Sequence, residues 1–162
     1  MINEKDLLII AYLRRNSRES LTRMSHKTSI PVSTIFDRIQ VQKRENVIKK
    51  HTALLDFARL GYNTKAHVML KVERKDRDEV AEYLRKYENT NSLYKINNGF
   101  DLFLEVVFRH VKDLEDFLDE LETKFKIREK KVFYVIDDLK REGFLSDPDT
   151  ISLTKAQDKG AG

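Results

Sequence analysis

Between Ser29 and Ile48 the chain reads SIPVSTIFDRIQVQKRENVI. Ser33, Thr34, Asp37, Arg38 and Gln40 crowd this stretch, and their donors and acceptors suit the edges of base pairs. Arginine pairs with guanine, glutamine with adenine, aspartate accepts from the cytosine amine, and the hydroxyls serve either role. Cations flank the stretch on both sides: Arg23, Lys27, Lys43, Arg44, Lys49 and Lys50, the side chains that hold phosphates. Residues 1–56 carry 11 Lys/Arg against 6 Asp/Glu, a net +5, whereas residues 57–162 carry 20 against 21. All of the basic excess therefore lies in the first third, as a polyanion partner would require. A solvated surface with a chance asymmetry would give the same count, so charge alone does not decide.

The elements that must position these side chains follow from capping and periodicity. Asn3 with Asp6 three residues on makes a capping-box start, and Leu7, Ile10, Ala11 and Leu13 recur near helical spacing up to Asn16-Ser17. Ser20 caps a short second helix with Leu21 and Met24 inward. Pro31 suits the first turn of a third helix, whose core pair is Ile35 and Ile39, and Asn46 suits the left-handed residue that closes it. Val47-Ile48 are expected to open an extended segment to Leu55. Two short helices joined by about four residues make a helix-turn-helix. The side chains of the opening stretch then lie on its second helix, the one that enters a major groove. A small helical domain whose polar face binds protein is the competing reading.

After Leu60-Gly61 the texture changes. AHVMLKV alternates, DRDEVAEYLRKYE is amphipathic with an acidic start, and SLYKIN is a second strand. Asn98-Gly99 marks a hairpin. DLFLEVVF, KDLEDFLDELETKF and REKKVFYVI then read as strand, helix and strand. The order β-α-β-β-α-β gives a four-stranded antiparallel sheet with both helices on one face. The chain is thus α+β, with 1–50 as reading domain, 51–61 as linking strand and linker, 62–137 as the sheet domain and 138–162 as an extension. In that extension DDLKREGF suits a helical turn or two, and the polar remainder is expected to be loose. The third strand places Leu102, Leu104, Val106 and Phe108 on one side, yet Phe103 and Val107 on the other are apolar too. The fourth strand repeats this, with Val132, Tyr134 and Ile136 opposed by Phe133 and Val135. A sheet face turned to water should be polar, so Phe103, Val107, Phe133 and Val135 predict a homodimer built sheet to sheet. Two chains would also present two reading helices to a two-fold site.

Other chemistry finds little support. There is no cysteine, which excludes disulfides and thiolate metal sites and suits a cytoplasmic protein. No apolar run approaches the roughly 20 residues of a membrane span, and MINEKDLLII carries acids where a signal peptide is basic. His26, His51, His67 and His110 are scattered one per element, there is no phosphate loop and no nucleophile elbow, and no cofactor or metal is implied.

Over roughly residues 3–136 the ordered pieces resemble the Lrp/AsnC (feast/famine) transcription regulators. They are the run Asp6 to Leu13, Arg18 with Ser20-Leu21, Ser33-Thr34-Ile35 with Arg38-Ile39, Val47-Ile48-Lys49, Thr52-Ala53, Leu55-Asp56, Leu60-Gly61-Tyr62 and Phe100-Asp101-Leu102. The resemblance implies a winged helix-turn-helix that binds double-stranded DNA and a ferredoxin-like sandwich that pairs into dimers, often into octamers and other larger assemblies. It also implies an amino-acid effector near the second hairpin. There this chain offers Asn97, Asn98, Gly99 and Asp101, with Asp101 a partner for an α-ammonium group and backbone N–H groups for a carboxylate. The competing reading is that Asn98-Gly99 only turns the hairpin and Asp101 bonds backbone. The sequence departs from the family at Ser29, Asn46 and Asn98, where glycine is usual, and at Lys126-Ile127 in place of Gly-Val. It departs also at Gln42, where leucine is usual and where neighbouring Val41 is expected to take over the packing. Two other classes stay open. One is a protein–protein module of this fold without DNA binding, favoured by Asp37 on the reading face. The other is an enzyme akin to the tetrapyrrole decarboxylases of related architecture, disfavoured because residues 94–101 contain no histidine.

Overall fold

The computed structural model describes residues 2–151 and divides into two compact units. The first runs to Leu54 and takes in the segment that begins at Leu139; the second is Leu55–Asp138. The described part of the C-terminal extension thus groups with the helical unit.

In the first unit, helix α1 spans Glu4–Arg15 and opens on the expected capping box. The Asp6 N–H donates to Asn3 Oδ1 at 3.0 Å and the Asn3 N–H donates back to Asp6 Oδ2 at 2.9 Å. Helix α2, Leu21–Thr28, is capped by Ser20, whose Oγ accepts from the Arg23 N–H at 3.1 Å. Ser29 ends it at φ 57°, a conformation that more often calls for glycine. Helix α3, Val32–Arg44, starts behind Pro31 and stops at Asn46, also at φ 57°. There the N–H groups of Val47 and Ile48 turn back to the Gln42 carbonyl at 2.9 and 3.1 Å. Ile9, Tyr12, Met24, Ile30, Ile35 and Ile39 make the core, with Leu8, Leu13, Leu21 and Ile48 packed against it.

The linking strand expected from Val47 to Leu55 does not form, nor does any strand occupy the place of a wing behind α3. A strand needs a neighbour for its N–H and C=O groups, and among the described residues none pairs with 49–56. The helical turn expected in DDLKREGF is absent as well. Helical residues resume only at Pro148, and the loose polar remainder predicted beyond Ile151 lies outside the described residues. The extension is instead tied to α1. Arg14 Nε donates to the Phe144 carbonyl at 2.6 Å, and Arg14 Nη2 donates to the Glu142 carbonyl at 3.1 Å and its carboxylate at 3.0 Å.

The second unit holds strands β1 (Thr64–Val72), β2 (Thr90–Lys95), β3 (Leu102–Phe108) and β4 (Ile127–Tyr134), with helices α4 (Arg77–Lys86) and α5 (Val111–Lys124) between them. The strand order is β2-β3-β1-β4 and every pairing is antiparallel. On one face Ala66, Val68 and Leu70 of β1 and Leu102, Leu104, Val106 and Phe108 of β3 meet Val80 and Leu84 of α4 and Leu114, Phe117, Leu118 and Leu121 of α5. The alternation buried, half-buried along all nine residues of β1 is the period-two pattern of a sheet with one packed face. The fourth strand ends at Tyr134, so Ile136, expected in its inner row, lies past the sheet and is 94% exposed.

Candidate nucleic-acid interface

Helix α3 is placed by Ile35, Ile39 and Gln42, which are buried against α1 and α2. At about 100° per residue the opposite ridge carries Ser33, Asp37, Gln40 and Arg44. All four are exposed. Three were expected as base readers. Arg44, expected on phosphate, shares their ridge. Thr34 is half-buried at the flank, and Lys43 is exposed on the other side. Phe36, half exposed, and Val32 lie beside the ridge; as apolar residues they fall outside the set that hydrogen-bonds base edges. Their offset from the Ile35–Ile39 pair was the available sign, and such side chains meet the thymine methyl in a major groove.

Arg38 departs from expectation. Its guanidinium turns away from the ridge and onto α1, with Nη1 at 2.8 Å from Asp6 Oδ1 and 3.2 Å from Asn3 Oδ1. Gln42 departs too. The expected substitution of Val41 in the core does not occur; Val41 is exposed, and Gln42 is itself buried. Its Nε2 donates to Asp6 Oδ1 at 3.0 Å. Burial pushes the Asp6 carboxyl up, but the Asn3 N–H, the hydrogen bonds from Arg38 and Gln42 and the Arg38 charge outweigh it and hold the group below its ordinary 3.8. Arg38 is therefore engaged as the counter-ion of Asp6.

Among the cations expected on phosphate, Arg23, Lys43, Lys49 and Lys50 are exposed. Arg23 lies 3.6 Å from Glu19, and Lys27, also exposed, sits over Tyr12 with its Nζ 5.5 Å from the ring centre. Asp37 is exposed and stands in the middle of the ridge.

On the open face of the sheet, His67 of β1 lies opposite Glu105 of β3 and Phe133 of β4. His67 Nε2 is 3.1 Å from Glu105 Oε2. The Phe103 ring is half-buried between His67 at 5.0 Å and Tyr94 at 6.2 Å. Phe133 is 51% exposed, and Val135 is half-buried just past β4 with its N–H on the Lys65 carbonyl at 2.9 Å. Val107 was expected on this uncovered face, but it is only 6% exposed within one chain. It lines a recess of about 330 Å³ with Phe57, Leu60 and Tyr62, side chains from the segment before β1.

At the second hairpin Asn98 and Gly99 have φ of 63° and 89°, the left-handed pair of a tight turn. Asn97, Asn98 and Gly99 are exposed. Asp101 is not open to an ammonium group. Its Oδ2 accepts from the Val72 N–H at 2.8 Å, and its Oδ1 pairs with Arg77 Nη2 at 2.8 Å. The histidines are dispersed: His26 and His51 are exposed, and His110 caps α5. No group of three His, Asp or Glu able to hold a metal, and no helix long and apolar enough to cross a membrane, occurs among the described residues.

A helix-turn-helix whose second helix presents a polar ridge, followed by a ferredoxin-like sheet, defines a two-domain protein of the helix-turn-helix class. Residues 65–144 match the Lrp/AsnC ligand binding domain. The chain is 32% identical over 118 residues to the HTH-type transcriptional regulator FL11 of Pyrococcus horikoshii, covering 73% of this chain and 78% of that protein. It is 28% identical over 148 residues to an HTH-type transcriptional regulator of Pyrococcus furiosus, covering 88% of this chain and 96% of the relative. Among solved structures it is similar in fold to E. coli AsnC, with a TM-score of 0.79 at 17% identity over 90% of this chain and 99% of the other. A transcriptional regulator of Neisseria meningitidis in complex with L-Met gives a TM-score of 0.80 at 16% identity, covering 87% and 94%. The chain belongs to the Lrp/AsnC family of helix-turn-helix transcriptional regulators.

Proposed function

We propose that this regulator binds double-stranded DNA with α3 in the major groove and does so as a homodimer joined through the open sheet face. The observation that carries the reading is the exposed ridge of Ser33, Asp37, Gln40 and Arg44, opposite a buried face. Base contacts come from that ridge with Phe36 beside it, and phosphate contacts from Lys43, Lys49, Lys50, Arg23 and Lys27. The aromatic side chains Phe103, Tyr94 and Phe133 around the His67–Glu105 pair supply a surface for a second copy. An amino-acid effector belongs to the reading through the ligand-binding family match and the L-Met complex of the Neisseria regulator. In this chain the exposed turn Asn97-Asn98-Gly99 offers amides for it, without Asp101.

Fluorescence anisotropy with random and genomic duplexes across a salt series tests DNA binding. The affinity should fall with a log–log slope of about −0.9 per phosphate contact. A complete lack of binding at about 50 mM salt, or an affinity indifferent to salt, would refute the reading.

A further inference from the structure

Gln42 occupies a position that helical spacing after Ile35 and Ile39 assigns to the core, and it is 1% exposed. Its amide joins a cluster around one carboxylate oxygen. Asp6 Oδ1 accepts from Gln42 Nε2 at 3.0 Å and from Arg38 Nη1 at 2.8 Å, while Asp6 Oδ2 accepts from the backbone N–H of Asn3. Residues 38 and 42 stand one turn apart on α3, so the first turn of α1 grips two turns of the reading helix. The grip is bought at a loss of satisfaction: Gln42 Oε1 and Arg38 Nε are buried without a hydrogen-bond partner. Since Gln42 Nε2 must face the carboxylate, the amide cannot flip to relieve this. An apolar residue at 42 would avoid the cost, so packing stability does not account for the glutamine.

What the cluster does supply is direction. The rest of this core is Ile9, Met24, Ile35, Ile39 and their neighbours, and apolar burial is non-directional. Hydrogen bonds fix distance and angle. A roll of α3 by about 20° carries a side chain at the roughly 6 Å radius of a helix through about 2 Å. That exceeds the few tenths of an ångström over which a base contact keeps its strength. Phosphate attraction, by contrast, tolerates such a shift because it is long-range.

We propose that Asp6 and Gln42 are positioning residues that set the roll of α3 on α1, so that they govern base discrimination without taking part in general attraction to DNA. This rests on the reading of α3 as the DNA-contacting helix. Neither residue lies on the outer ridge, and both act through the angle at which Ser33, Asp37, Gln40 and Arg44 meet the groove.

The test uses the full chain and two variants. Gln42→Leu replaces the amide with an apolar side chain of similar size, and Asp6→Asn keeps shape while removing charge. The probe duplexes are the best binder that the wild type selects from a random pool and an unselected random duplex. For Gln42→Leu the thermal midpoint should hold or rise, and the random-duplex affinity and its salt slope should hold. The selected-to-random affinity ratio should fall roughly tenfold, about one base pair's worth of discrimination. Residual dipolar couplings of α1 and α3 amides in the free protein should report a changed mutual orientation. Asp6→Asn should shift the ratio in the same direction. An unchanged ratio and unchanged couplings in Gln42→Leu would overturn the proposal. So would a ratio that holds while both affinities and the thermal midpoint drop together, since that is a merely structural role. Failure of the wild type to bind DNA in a salt-dependent way would instead sink the reading of α3, and is told apart by the wild-type titration alone.

Discussion

Lys43 and Gln40 stand three residues apart on α3, both exposed, yet the proposed docking gives them different work. In the docking proposed for α3, Gln40 on the crest meets base edges and Lys43 off the crest meets a phosphate strand. Losing one phosphate contact flattens the log–log salt slope by about 0.9. Between about 50 and 200 mM salt, one contact is worth a factor of roughly 3.5, and the two contacts of a dimer roughly twelvefold. Lys43→Ala should therefore bind more weakly to every sequence alike at low salt, and converge on the wild type as salt rises. Gln40→Ala should leave the slope where it is and narrow the gap between the selected and random duplexes by about 1–3 kcal/mol per half-site. Anisotropy titrations of both variants on both duplexes at four salt concentrations or so give the slopes and the gaps together. A Lys43→Ala variant that changes sequence preference at constant slope, or a Gln40→Ala variant that flattens the slope, would refute the placement of α3 in the groove.

Asp6→Ala deprives Gln42 Nε2 of its acceptor, Arg38 of its partner and the Asn3 N–H of its cap. Breaking such a buried pair costs about 3–5 kcal/mol, and the partial exposure of Arg38 argues for the lower end. Urea unfolding should show it, and a loss under about 1 kcal/mol would count against the cluster as drawn. Because the folded Asp6 carboxyl is held below its ordinary 3.8, its contribution is complete above that value and fades as pH falls through the folded one, so wild type and Asp6→Ala should converge in acid. Phe133→Glu should leave each chain folded, since Phe133 is 51% exposed, but return a monomer mass by light scattering at micromolar concentration. A dimer that survived it would remove the open face from the assembly. Val107→Glu is the wrong probe for that question, because Val107 is 6% exposed in one chain and a charge there unfolds the unit.

The elements were legible because each has a local cause. Asn3 with Asp6, Ser20, Pro31 and Asn46 mark the helix ends by hydrogen bonding and φ preference, and the structure places caps or stops at these residues. The alternation of β1 and the left-handed Asn98-Gly99 pair are equally local. The linking strand was not legible as a failure, because a strand exists only with a partner and the run Val47 to Leu55 says nothing about who that partner is. The extension misled for a similar reason. DDLKREGF has acceptable helix propensity, but Arg14, far away on α1, holds the carbonyls of Glu142 and Phe144 outside helical geometry.

Reading residues and bracing residues are drawn from one chemical set, and that limits how far the site can be read from type and spacing. Ser33, Asp37, Arg38, Gln40 and Gln42 all suit base edges. A turn of 100° per residue already separates them: Ser33, Asp37 and Gln40 fall on the crest, whereas Gln42 falls with Ile35 and Ile39. Arg38 lies between the two sets, and its side is decided by a carboxylate 32 positions earlier in the chain. That carboxylate was visible only as a cap. In the fold Asp6 is a cap, the counter-ion of Arg38 and the acceptor for Gln42 at once. A polar residue in the core register of a reading helix therefore points to a buried acceptor on a neighbouring helix. In this chain Asp6, one of two acidic residues in the first turn of α1, was the carboxylate already placed there by its own capping box.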